Sequence, residues 1–420
     1  MKTIFFVNCT DTGSTGKIIK DTAAVAKEHS YRCVLCAPNI TEPETQWLHK
    51  YRVSNRLFRA VAYRIAMLTG NYYGMGNLTA ISVIRKIRKE KASLVHIHCA
   101  NGSFINLYML LHWLKKSRVP TVVTNHAEFF YTGSCACTYD CDRWLHGCGQ
   151  CPQKLSKIDA SGKYWKKMKK TFSGFSDLIV TSVSPWVMSR SSSSPIMEGV
   201  EQRLVMNGVN TDIFRVYKNE NVWTRYGIDP GDRRVILYVT ACFYGDREEK
   251  GSKYLLELAK EMAEDPVLFV VAGNYVPGIS VPENVHLLGR INNQEALAQL
   301  YSAADLTLIT SRQESFSMPV AESLCCGTPF VGFCAGGPES IALTDYSSFV
   351  PFGNSQYFVD EIRRFWLYRK TPELAEEIAK AAKHHYDWTE MAGRYMSIYE
   401  EATNSDDPEE KNDFGADKYA

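Results

Sequence analysis

The sequence of 420 residues lacks several features that assign proteins to common classes. It contains no run of about 18 or more apolar residues, so no membrane-spanning helix is expected. The apolar stretch TIFFV near its start is too short for the core of a signal peptide, and it predicts a buried strand. In the loop that follows, NCTDTGSTGKII, Asp11 replaces the first glycine of a P-loop and Ile18 replaces the hydroxyl residue that binds magnesium. The match to a P-loop is therefore weak, and a P-loop NTPase is not expected.

The chain carries little net charge, +2 overall, but the charge is unevenly divided. Residues 1–200 hold 27 Lys and Arg against 12 Asp and Glu, whereas residues 201–420 hold 21 against 34. Two or three domains are expected at this length. The basic first half is suited to bind phosphates, anionic lipid or nucleic acid. Scattered solvated charge is the alternative. Thirteen cysteines without a secretory signal predict a reducing cytoplasm.

Short apolar runs alternate with longer segments of helical periodicity along the chain. In the first half the strand candidates are TIFFVN (3–8), YRCVLCA (31–37), SLVHIHC (93–99), TVVTNH (121–126) and DLIVTSV (177–183). Helical segments over 16–29, 79–91 and 103–117 separate them. The pattern restarts with RLVMN (203–207), RRVILYVT (233–240), VLFVVAG (267–273), VHLLG (285–289), LTLIT (306–310) and TPFVGF (328–333). Strands rich in Val, Ile and Leu, separated by helices, predict two doubly wound α/β units with parallel sheets.

A serine-rich loop, RSSSSP (190–195), marks the expected boundary between the two units. The predicted parts are a first Rossmann-like domain (1–195), a second one (196–383), a last amphipathic helix (384–402) and a disordered acidic tail (403–420). In such folds ligands bind at the carboxyl ends of the strands, where glycine turns lead into helices. Gly13 and Gly16 are therefore expected to let a substrate approach the backbone across a cleft between the domains.

The most specific segment reads SRQESFSMPVAESLCCGTPFVGFCAGGPES and covers residues 311–340. It holds Glu314 and Glu322, separated by seven residues. A helix that begins near Ser317 places the first carboxylate before its positive end and the second about one turn inside. The backbone N–H groups that then face a diphosphate are those of Phe316, Ser317 and Met318. The first carboxylate is suited to sugar hydroxyls and the second to a ribose diol.

This segment resembles the E-x(7)-E signature of retaining glycosyltransferases of family 4, which have the GT-B fold. That fold consists of two Rossmann-like doubly wound domains facing a cleft, with the acceptor on the N-terminal domain and the nucleotide sugar on the C-terminal domain. The resemblance extends over nearly the whole chain. Its other segments are TGSTGKI, VMNGVNTDIF (205–214), EEKGSKYLLE (248–257) and YDWTEMAGRYMSIYEE, the last of which resembles a closing helix that crosses back to the first domain.

The resemblance implies a role for each matching residue. Glu314 is expected to contact the hydroxyls of the transferred sugar, and Glu322 to bind the ribose. Lys250 is expected to neutralise the diphosphate as the glycosyl–phosphate bond breaks. His126, at the end of TVVTNH, matches an active-site histidine near the sugar. A strand-end histidine satisfied by a backbone carbonyl is the alternative for this position.

The resemblance also implies a reaction that retains anomeric configuration, uses a UDP- or GDP-linked sugar and requires no metal cofactor. No Asp-x-Asp motif lies in a suitable strand-end loop, and the departing phosphate is expected to take the acceptor's proton. The family usually has an arginine some residues before the lysine. Six residues before Lys250 the chain has Tyr244, so Arg247 is the expected substitute in binding the donor.

A cysteine-rich insertion continues directly from His126 and extends over 126–152. Its cysteines are Cys135, Cys137, Cys141, Cys148 and Cys151, a spacing that suits tetrahedral zinc. The favoured ligands of a structural zinc ion are Cys135, Cys141, Cys148 and Cys151, with Cys137 spare and His146 able to replace one thiol. Disulfides and plain loop cysteines are the alternatives. The insertion also resembles that of colanic-acid and other exopolysaccharide or capsule enzymes, although Ala127 and Ser134 replace their usual Asp and His.

Two basic segments, residues 51–70 and 163–172, contain apolar or aromatic side chains at near-helical spacing. An interfacial helix offers this combination to anionic lipid, whereas ordinary surface helices are the alternative. No nucleic-acid-binding motif accompanies these segments, so no nucleic acid is expected as a partner.

Together these features predict a glycosyltransferase in the cytoplasm, at the inner face of the cytoplasmic membrane. Its acceptor is expected to be lipid-linked or an oligosaccharide in the synthesis of capsule, exopolysaccharide or O-antigen. A transferase for a small soluble acceptor and a non-catalytic nucleotide-sugar-binding subunit are the alternatives.

Overall fold

A computed structural model describes residues 1–218, 221–245, 250–366 and 370–404 of the chain. The chain divides into two compact units, the first comprising residues 1–206 with the described residues from Thr389 on, and the second comprising residues 207–388. No helix among these described residues is long and apolar enough to cross a bilayer. Most of the predicted acidic tail lies outside the described residues.

The first unit contains a seven-stranded parallel sheet in the order β3-β2-β1-β4-β5-β6-β7. Its strands are β1 (Thr3–Val7), β2 (Arg32–Ala37), β3 (Leu48–Arg52), β4 (Leu94–Ile97), β5 (Thr121–Asn125), β6 (Leu178–Ser182) and β7 (Glu201–Leu204). The helices between them are α1 (Gly13–Glu28), α2 (Arg56–Thr69), α3 (Asn77–Lys89), α4 (Leu107–Ser117), α5 (Ser161–Phe172) and α6 (Pro185–Ser193). In register, Phe6 of β1 pairs with Leu35 of β2 and with His96 of β4.

The second unit contains a six-stranded parallel sheet in the order β10-β9-β8-β11-β12-β13. Its strands are β8 (Arg234–Phe243), β9 (Val267–Tyr275), β10 (Val285–Gly289), β11 (Leu306–Ile309), β12 (Phe330–Phe333) and β13 (Ser347–Val350). Its helices are α7 (Ser252–Glu261), α8 (Gln294–Ala303), α9 (Met318–Cys325), α10 (Gly337–Ile341), α11 (Ser355–Trp366) and α12 (Pro372–Tyr386). A last helix, α13 (Trp388–Asn404), follows. The strand order reverses between β1 and β4 and between β8 and β11, and such reversals mark ligand sites in doubly wound sheets.

Each unit has a hydrophobic core of its own. In the first unit, Ile4 and Phe6 of β1 are fully buried in one cluster with Tyr395 and Tyr399 of α13. In the second unit, the apolar residues of β8, β9 and β11 form a cluster with α7 and α11. The helix α13 therefore packs into the same core as the first strand, β1.

Three strands differ from the sequence-based expectations. The edge strand β3 reads LHKYR and β13 reads SSFV, so both contain too few apolar residues to stand out as strand candidates. The run at 203–207 was expected to open the second unit, but β7 pairs in parallel with β6 and so belongs to the first sheet. Consequently the first unit extends to Met206, beyond the predicted boundary at residue 195.

Candidate active site

The loop between β11 and α9 carries the first glutamate of the signature and is fixed by backbone hydrogen bonds. The Glu314 N–H donates to the carbonyl of Ala335 at 3.0 Å, and the Gly337 N–H donates to the carbonyl of Glu314 at 2.8 Å. A side chain at Gly337 would overlap the backbone of Ser315. Glycine at this position thus allows the segment after β12 to hold the Glu314 loop in place.

Lys250 and Glu314 form an ion pair, with 2.8 Å between Nζ and Oε1. The lysine side chain is 50% exposed and the carboxylate side chain is 24% exposed. Exposed pairs of this kind contribute little stability, about 0–1 kcal/mol, so an anionic ligand can replace the carboxylate at small cost. The structure thus brings together two residues that are far apart in the sequence and that were both predicted to act on the donor.

The backbone around Lys250 is held by residues that the sequence analysis did not single out. The Tyr238 hydroxyl donates to the carbonyl of Lys250, and the Thr310 hydroxyl donates to the carbonyl of Gly251 at 2.8 Å. Burial raises the pKa of Tyr238 to about 12, so its phenol remains a donor. Gly251 has a φ of 76°, and a side chain there would overlap Thr310. No sequence motif marks Tyr238, because its role depends on the parallel pairing of β8 with β11.

The N-terminus of α9 is suited to bind an anion. Ser317 precedes it with a φ of 77°, and its side chain makes no capping hydrogen bond within the described structure. The first N–H groups of a helix need partners, and together with the helix dipole they favour a negatively charged ligand. Phe316 and Ser317 are both buried in this turn. Donor binding by the backbone of Phe316, Ser317 and Met318 stays a prediction.

Glu322 lies inside α9 and accepts a hydrogen bond from the Tyr301 hydroxyl of α8 at 3.2 Å. Burial, together with the neighbouring carboxylate, raises the pKa of Tyr301 well above its ordinary value. The tyrosine therefore remains protonated and orients Glu322. This tyrosine was also missed from the sequence, since nothing in its local pattern distinguishes it from a core residue.

A cavity of about 320 Å³ lies at the carboxyl ends of β8 and β9. Its lining residues are Val239, Thr240, Ala241, Ala272, Gly273, Asn274, Arg290, Ile291 and Leu297. Binding pockets for small molecules typically begin at about 300 Å³, so this cavity is large enough for a base or sugar ring. Gly273 has a φ of 158°, and a side chain there would overlap the carbonyl of Thr240. The glycine that ends VLFVVAG is the sequence signal that could have located this cavity.

In the first unit, His126 follows β5 and is partly exposed. Its Nε2 lies 2.9 Å from Nδ1 of His98, which follows β4. Desolvation lowers the pKa of His126 to about 3, so the ring is neutral near pH 7. His126 was predicted from the sequence but its partner was not, although both strand-end segments, TVVTNH and SLVHIHC, were predicted as strands.

The glycine-rich loop after β1 is folded around a buried charge. Asp11 forms an ion pair with Lys50 at 3.0 Å, and its carboxylate also accepts the N–H groups of Thr41 and Glu42. Gly16 is buried, and a side chain there would overlap the backbone of Asp11. Internal packing therefore explains Gly16. Gly13 begins α1 with a φ of 71° and has open space at its Cβ position, so it remains the candidate for contact with a substrate.

The expected zinc ligands Cys135, Cys141, Cys148 and Cys151 line one small cavity, whereas Cys137 does not. Burial raises the pKa of Cys135 to about 12 and that of Cys148 to about 11, so both are thiols. In the part of the chain that the structure describes, no three His, Cys, Asp or Glu side chains are placed to hold a metal ion. The four cysteines share one cavity without forming a ligand cluster among the described residues, so the predicted zinc site stays a prediction. Cys135, Cys141, Cys148 and Cys151 form no disulfide in this structure.

Glu128, which stands next to Ala127, organises this insertion. It is fully buried and accepts hydrogen bonds from Arg190 Nε at 2.7 Å and from the Tyr131 hydroxyl at 3.1 Å. It is therefore engaged inside the domain and does not replace the missing aspartate at the surface. Arg247 lies outside the described residues, so its expected contact with the donor stays a prediction.

Comparisons with known proteins agree with this architecture. Residues 228–385 match the family described as glycosyl transferases group 1. The sucrose-phosphate synthase of Thermosynechococcus elongatus superposes with a TM-score of 0.69 at 15% identity, covering 97% of this chain and 100% of that one. The HepE protein of Anabaena in complex with UDP superposes with a TM-score of 0.63 at 15% identity, covering 96% and 100%. The fold is GT-B. The fold class predicted from the sequence is thus confirmed.

Among curated relatives, the D-inositol 3-phosphate glycosyltransferase of Thermobispora bispora is 29% identical over 230 residues. That alignment covers 48% of this chain and 51% of the relative, so the GT-B chain spans about half the length of the curated relatives it matches. The name of this relative refers to an inositol phosphate and not to a surface polysaccharide. The finer resemblance to colanic-acid and capsule enzymes therefore stays a prediction.

Substitution of Gly337 by alanine tests the packing that holds Glu314. We expect Gly337→Ala to lower the stability of the second unit by about 1–3 kcal/mol, because the added methyl group overlaps the Ser315 backbone. Gly393→Ala is the control, since a side chain at this helical position meets no atom within 4 Å. Thermal melting of both variants measures the difference, and equal melting temperatures would contradict the packing argument.

Substitution of Asp11 tests the buried ion pair. Asp11→Asn leaves Lys50 buried without its counter-charge, and we expect a loss of about 3–5 kcal/mol at pH 7. The double variant with Lys50→Met should recover part of this loss.

Desolvation alone would raise the pKa of Asp11, but Lys50 and two backbone N–H groups outweigh it and lower the pKa. The stabilisation is therefore complete above the ordinary carboxyl range, declines as the pH falls through that range, and is lost below the lowered pKa of Asp11. Denaturant unfolding at pH 7 and below pH 4 measures this dependence; a pH-independent difference between wild type and double variant would exclude it.

Proposed function

We propose that the protein is a retaining glycosyltransferase that takes a sugar from a UDP- or GDP-linked donor. The observation that carries the proposal is the 2.8 Å contact between Lys250 Nζ and Glu314 Oε1 beside the N-terminus of α9. A cation, an uncapped helix terminus and a carboxylate are the groups that a sugar diphosphate requires. The match of residues 228–385 to group 1 glycosyl transferases supports the same assignment.

Each group in the second unit has a place in donor binding. The base of the nucleotide binds in the cavity of about 320 Å³ at the ends of β8 and β9. Glu322, which Tyr301 orients, accepts hydrogen bonds from the ribose hydroxyls. The diphosphate binds the N–H groups at the start of α9 and replaces Glu314 as the ion-pair partner of Lys250. The freed Glu314 carboxylate then accepts hydrogen bonds from the hydroxyls of the sugar.

The transfer replaces one C1–O bond with another on the same face of the sugar. The bond between C1 and the phosphate oxygen breaks, and Lys250 and the helix terminus stabilise the charge that develops on the leaving diphosphate. The acceptor oxygen forms the new bond to C1. Its proton passes to the leaving phosphate oxygen, so the nucleoside diphosphate departs with the proton and no side-chain base is required.

We further propose a lipid-linked acceptor in surface-polysaccharide synthesis, supported by the surface of α2. The exposed apolar side chains of this helix are Leu57, Phe58, Val61, Tyr63, Ile65, Met67 and Leu68. Its buried residues are Ala62 and Ala66, so the helix packs through small side chains and turns the large ones outward. Arginines interrupt this apolar surface, and α2 contains no acidic residue. This combination suits the interface of an anionic membrane.

The other basic helix differs from α2. The aromatic side chains of α5, Tyr164 and Trp165, are buried in the first unit, and so are Met168 and Phe172. Only its lysines face solvent. Contact with a membrane is therefore proposed for α2 alone, and α5 corresponds to the ordinary surface helix that was the alternative.

A small soluble acceptor is the second candidate. It is favoured by the name of the Thermobispora relative, which refers to an inositol phosphate. A transferase of this kind is active without membranes, and its turnover does not change when vesicles are added.

Nucleotide binding tests the donor site. We expect either UDP or GDP, with its sugar conjugates, to raise the melting temperature of wild type more than the other nucleotide does. A ligand at 100 times its Kd raises the free energy of unfolding by about 2.7 kcal/mol. Glu322→Ala should lose most of this effect because the ribose contact is removed. Glu376→Ala, an exposed glutamate on α12, is the control and should behave as wild type.

Two results would overturn this assignment. The donor site is excluded if no nucleotide stabilises the wild-type protein. A non-catalytic binding subunit is indicated if nucleotides bind but Glu314→Ala leaves the release of nucleoside diphosphate in the presence of acceptor unchanged.

Vesicle sedimentation tests the α2 surface. We expect wild type to bind vesicles that contain phosphatidylglycerol more tightly than neutral vesicles, and less tightly as salt is added. Arg56→Gln with Arg64→Gln should weaken binding by about 2 kcal/mol, and Leu57→Ser with Leu68→Ser should weaken it on both vesicle types.

The matched control removes two charges from α5, through Lys166→Gln and Lys170→Gln. Its binding should stay close to that of wild type, because α5 has no exposed apolar surface. Equal losses in the α2 and α5 variants would show attraction by net charge alone and would contradict docking through α2.

A further inference from the structure

Three histidines form a stack at the carboxyl ends of two adjacent strands. His96 lies in β4, His98 follows that strand, and His126 follows β5. The ring centroids of His96 and His98 are 3.9 Å apart, and those of His98 and His126 are 5.1 Å apart with planes inclined by 20°. Because β4 and β5 pair in parallel, their ends hold these rings at one edge of the sheet.

The first histidine of the stack is fully paired. Nδ1 of His96 lies 2.6 Å from the Tyr399 hydroxyl, and its Nε2 lies 2.7 Å from the Thr124 hydroxyl. Burial lowers the pKa of His96, so this ring is neutral. It joins β4 to α13 and β5 and has no nitrogen left for a ligand.

The second histidine has one nitrogen paired and one without a partner. Nδ1 of His98 lies 2.9 Å from Nε2 of His126. Its Nε2 is buried and has no hydrogen-bond partner among the residues described by the structure. Burial lowers the pKa of both His98 and His126, so two neutral rings share a single proton between Nδ1 and Nε2.

The position of that proton decides what His126 offers to a ligand. If His126 donates from Nε2, the remaining proton of His98 lies on its buried Nε2, which is a donor without an acceptor. If His98 donates from Nδ1, the buried Nε2 is only an unused lone pair. Orphaned buried N–H groups are rarer than unsatisfied acceptors, so the second arrangement is favoured.

We propose that His98 is a positioning residue that fixes His126 in the tautomer with its proton on Nδ1. His126 accepts the His98 proton at Nε2, and its own Nδ1–H is directed away from this bond. The ring is partly exposed. His126 thus presents a neutral hydrogen-bond donor at the carboxyl edge of the first sheet.

This arrangement restricts the chemistry of His126. A neutral N–H donor stabilises an oxygen atom of a sugar, such as a hydroxyl group, without transferring a proton to it. Since its pKa is about 3 and its Nε2 lone pair is occupied by His98, His126 cannot serve as a general base near pH 7. The identity of the ligand as a sugar rests on the proposed function, whereas the tautomer does not.

Nitrogen chemical shifts measure the tautomer directly. In long-range 1H–15N spectra of the full-length protein labelled with 15N-histidine at pH 7, His126 is expected to show a protonated Nδ1 and an unprotonated Nε2. The spectra of His126→Gln and His98→Asn assign the signals by their absence. A protonated Nε2 on His126 in the wild-type protein would overturn the proposal.

Two substitutions of His98 separate positioning from packing. Asn places an amide N–H near the position of Nδ1, so His98→Asn should keep the tautomer and keep kcat/KM within a few-fold of wild type. His98→Leu fills the space without a donor, and it should shift His126 toward the Nε2–H form and lower kcat/KM by up to about 10-fold, the effect of losing one neutral hydrogen bond. An unchanged His126 spectrum in the leucine variant, or equal losses of activity in both variants, would refute the role of His98.

The spectra test the tautomer of His126 independently of the proposed function. If the protein bound no nucleotide sugar, the spectra would still decide the tautomer. If the leucine variant did not fold, the wild-type spectrum and the asparagine variant would decide it without activity. Thermal melting of each variant identifies that case.

Discussion

Parallel pairing of the strands is the constraint on which both sites depend. Since neighbouring strands run in the same direction, their carboxyl ends meet at one edge of each sheet, and the loops that follow them are brought together. In the second unit, β8, β9 and β11 are neighbours, so the Lys250 loop, the strand-end cavity and the Glu314 loop are adjacent. In the first unit, β4 and β5 bring His98 to His126 in the same way. The side chains come from distant parts of the chain, and strand order alone makes them neighbours.

The two ion pairs of the molecule's functional loops serve different purposes. Asp11 and Lys50 are buried, and backbone N–H groups complete the coordination of the carboxylate, so this pair determines the shape of the glycine-rich loop. Lys250 and Glu314 are exposed to solvent, where such a pair contributes about 0–1 kcal/mol. Water and dissolved anions reach the second pair but not the first. The exposed pair is therefore suited to exchange partners when a ligand binds, whereas the buried one is suited to remain intact.

Sequence patterns located several helices and most strands, because alternating apolar runs and helical periods report burial directly. They missed β3 and β13, whose side chains are largely polar, and misassigned the strand at 203–207, because pairing with β6 is a long-range property. In the site, Glu314, Glu322 and Lys250 were identified from motifs. Tyr238, Tyr301 and His98 were not, because each acts by hydrogen bonding to a residue distant in sequence. The cysteine spacing predicted four zinc ligands; these four residues line one cavity, but spacing along the chain does not report how the side chains are oriented in it.

The position of α13 has a consequence for the order in which the protein is made. Ile4 and Phe6 are synthesised long before Tyr395 and Tyr399, yet the four side chains share one core. The second unit lies between these segments in the sequence, and domains generally fold as units during synthesis. The second unit is therefore able to fold while the first still lacks a wall of its core. The first unit becomes complete only when α13 has been synthesised, so the nascent chain carries exposed apolar surface around β1 until the ribosome has passed Tyr399.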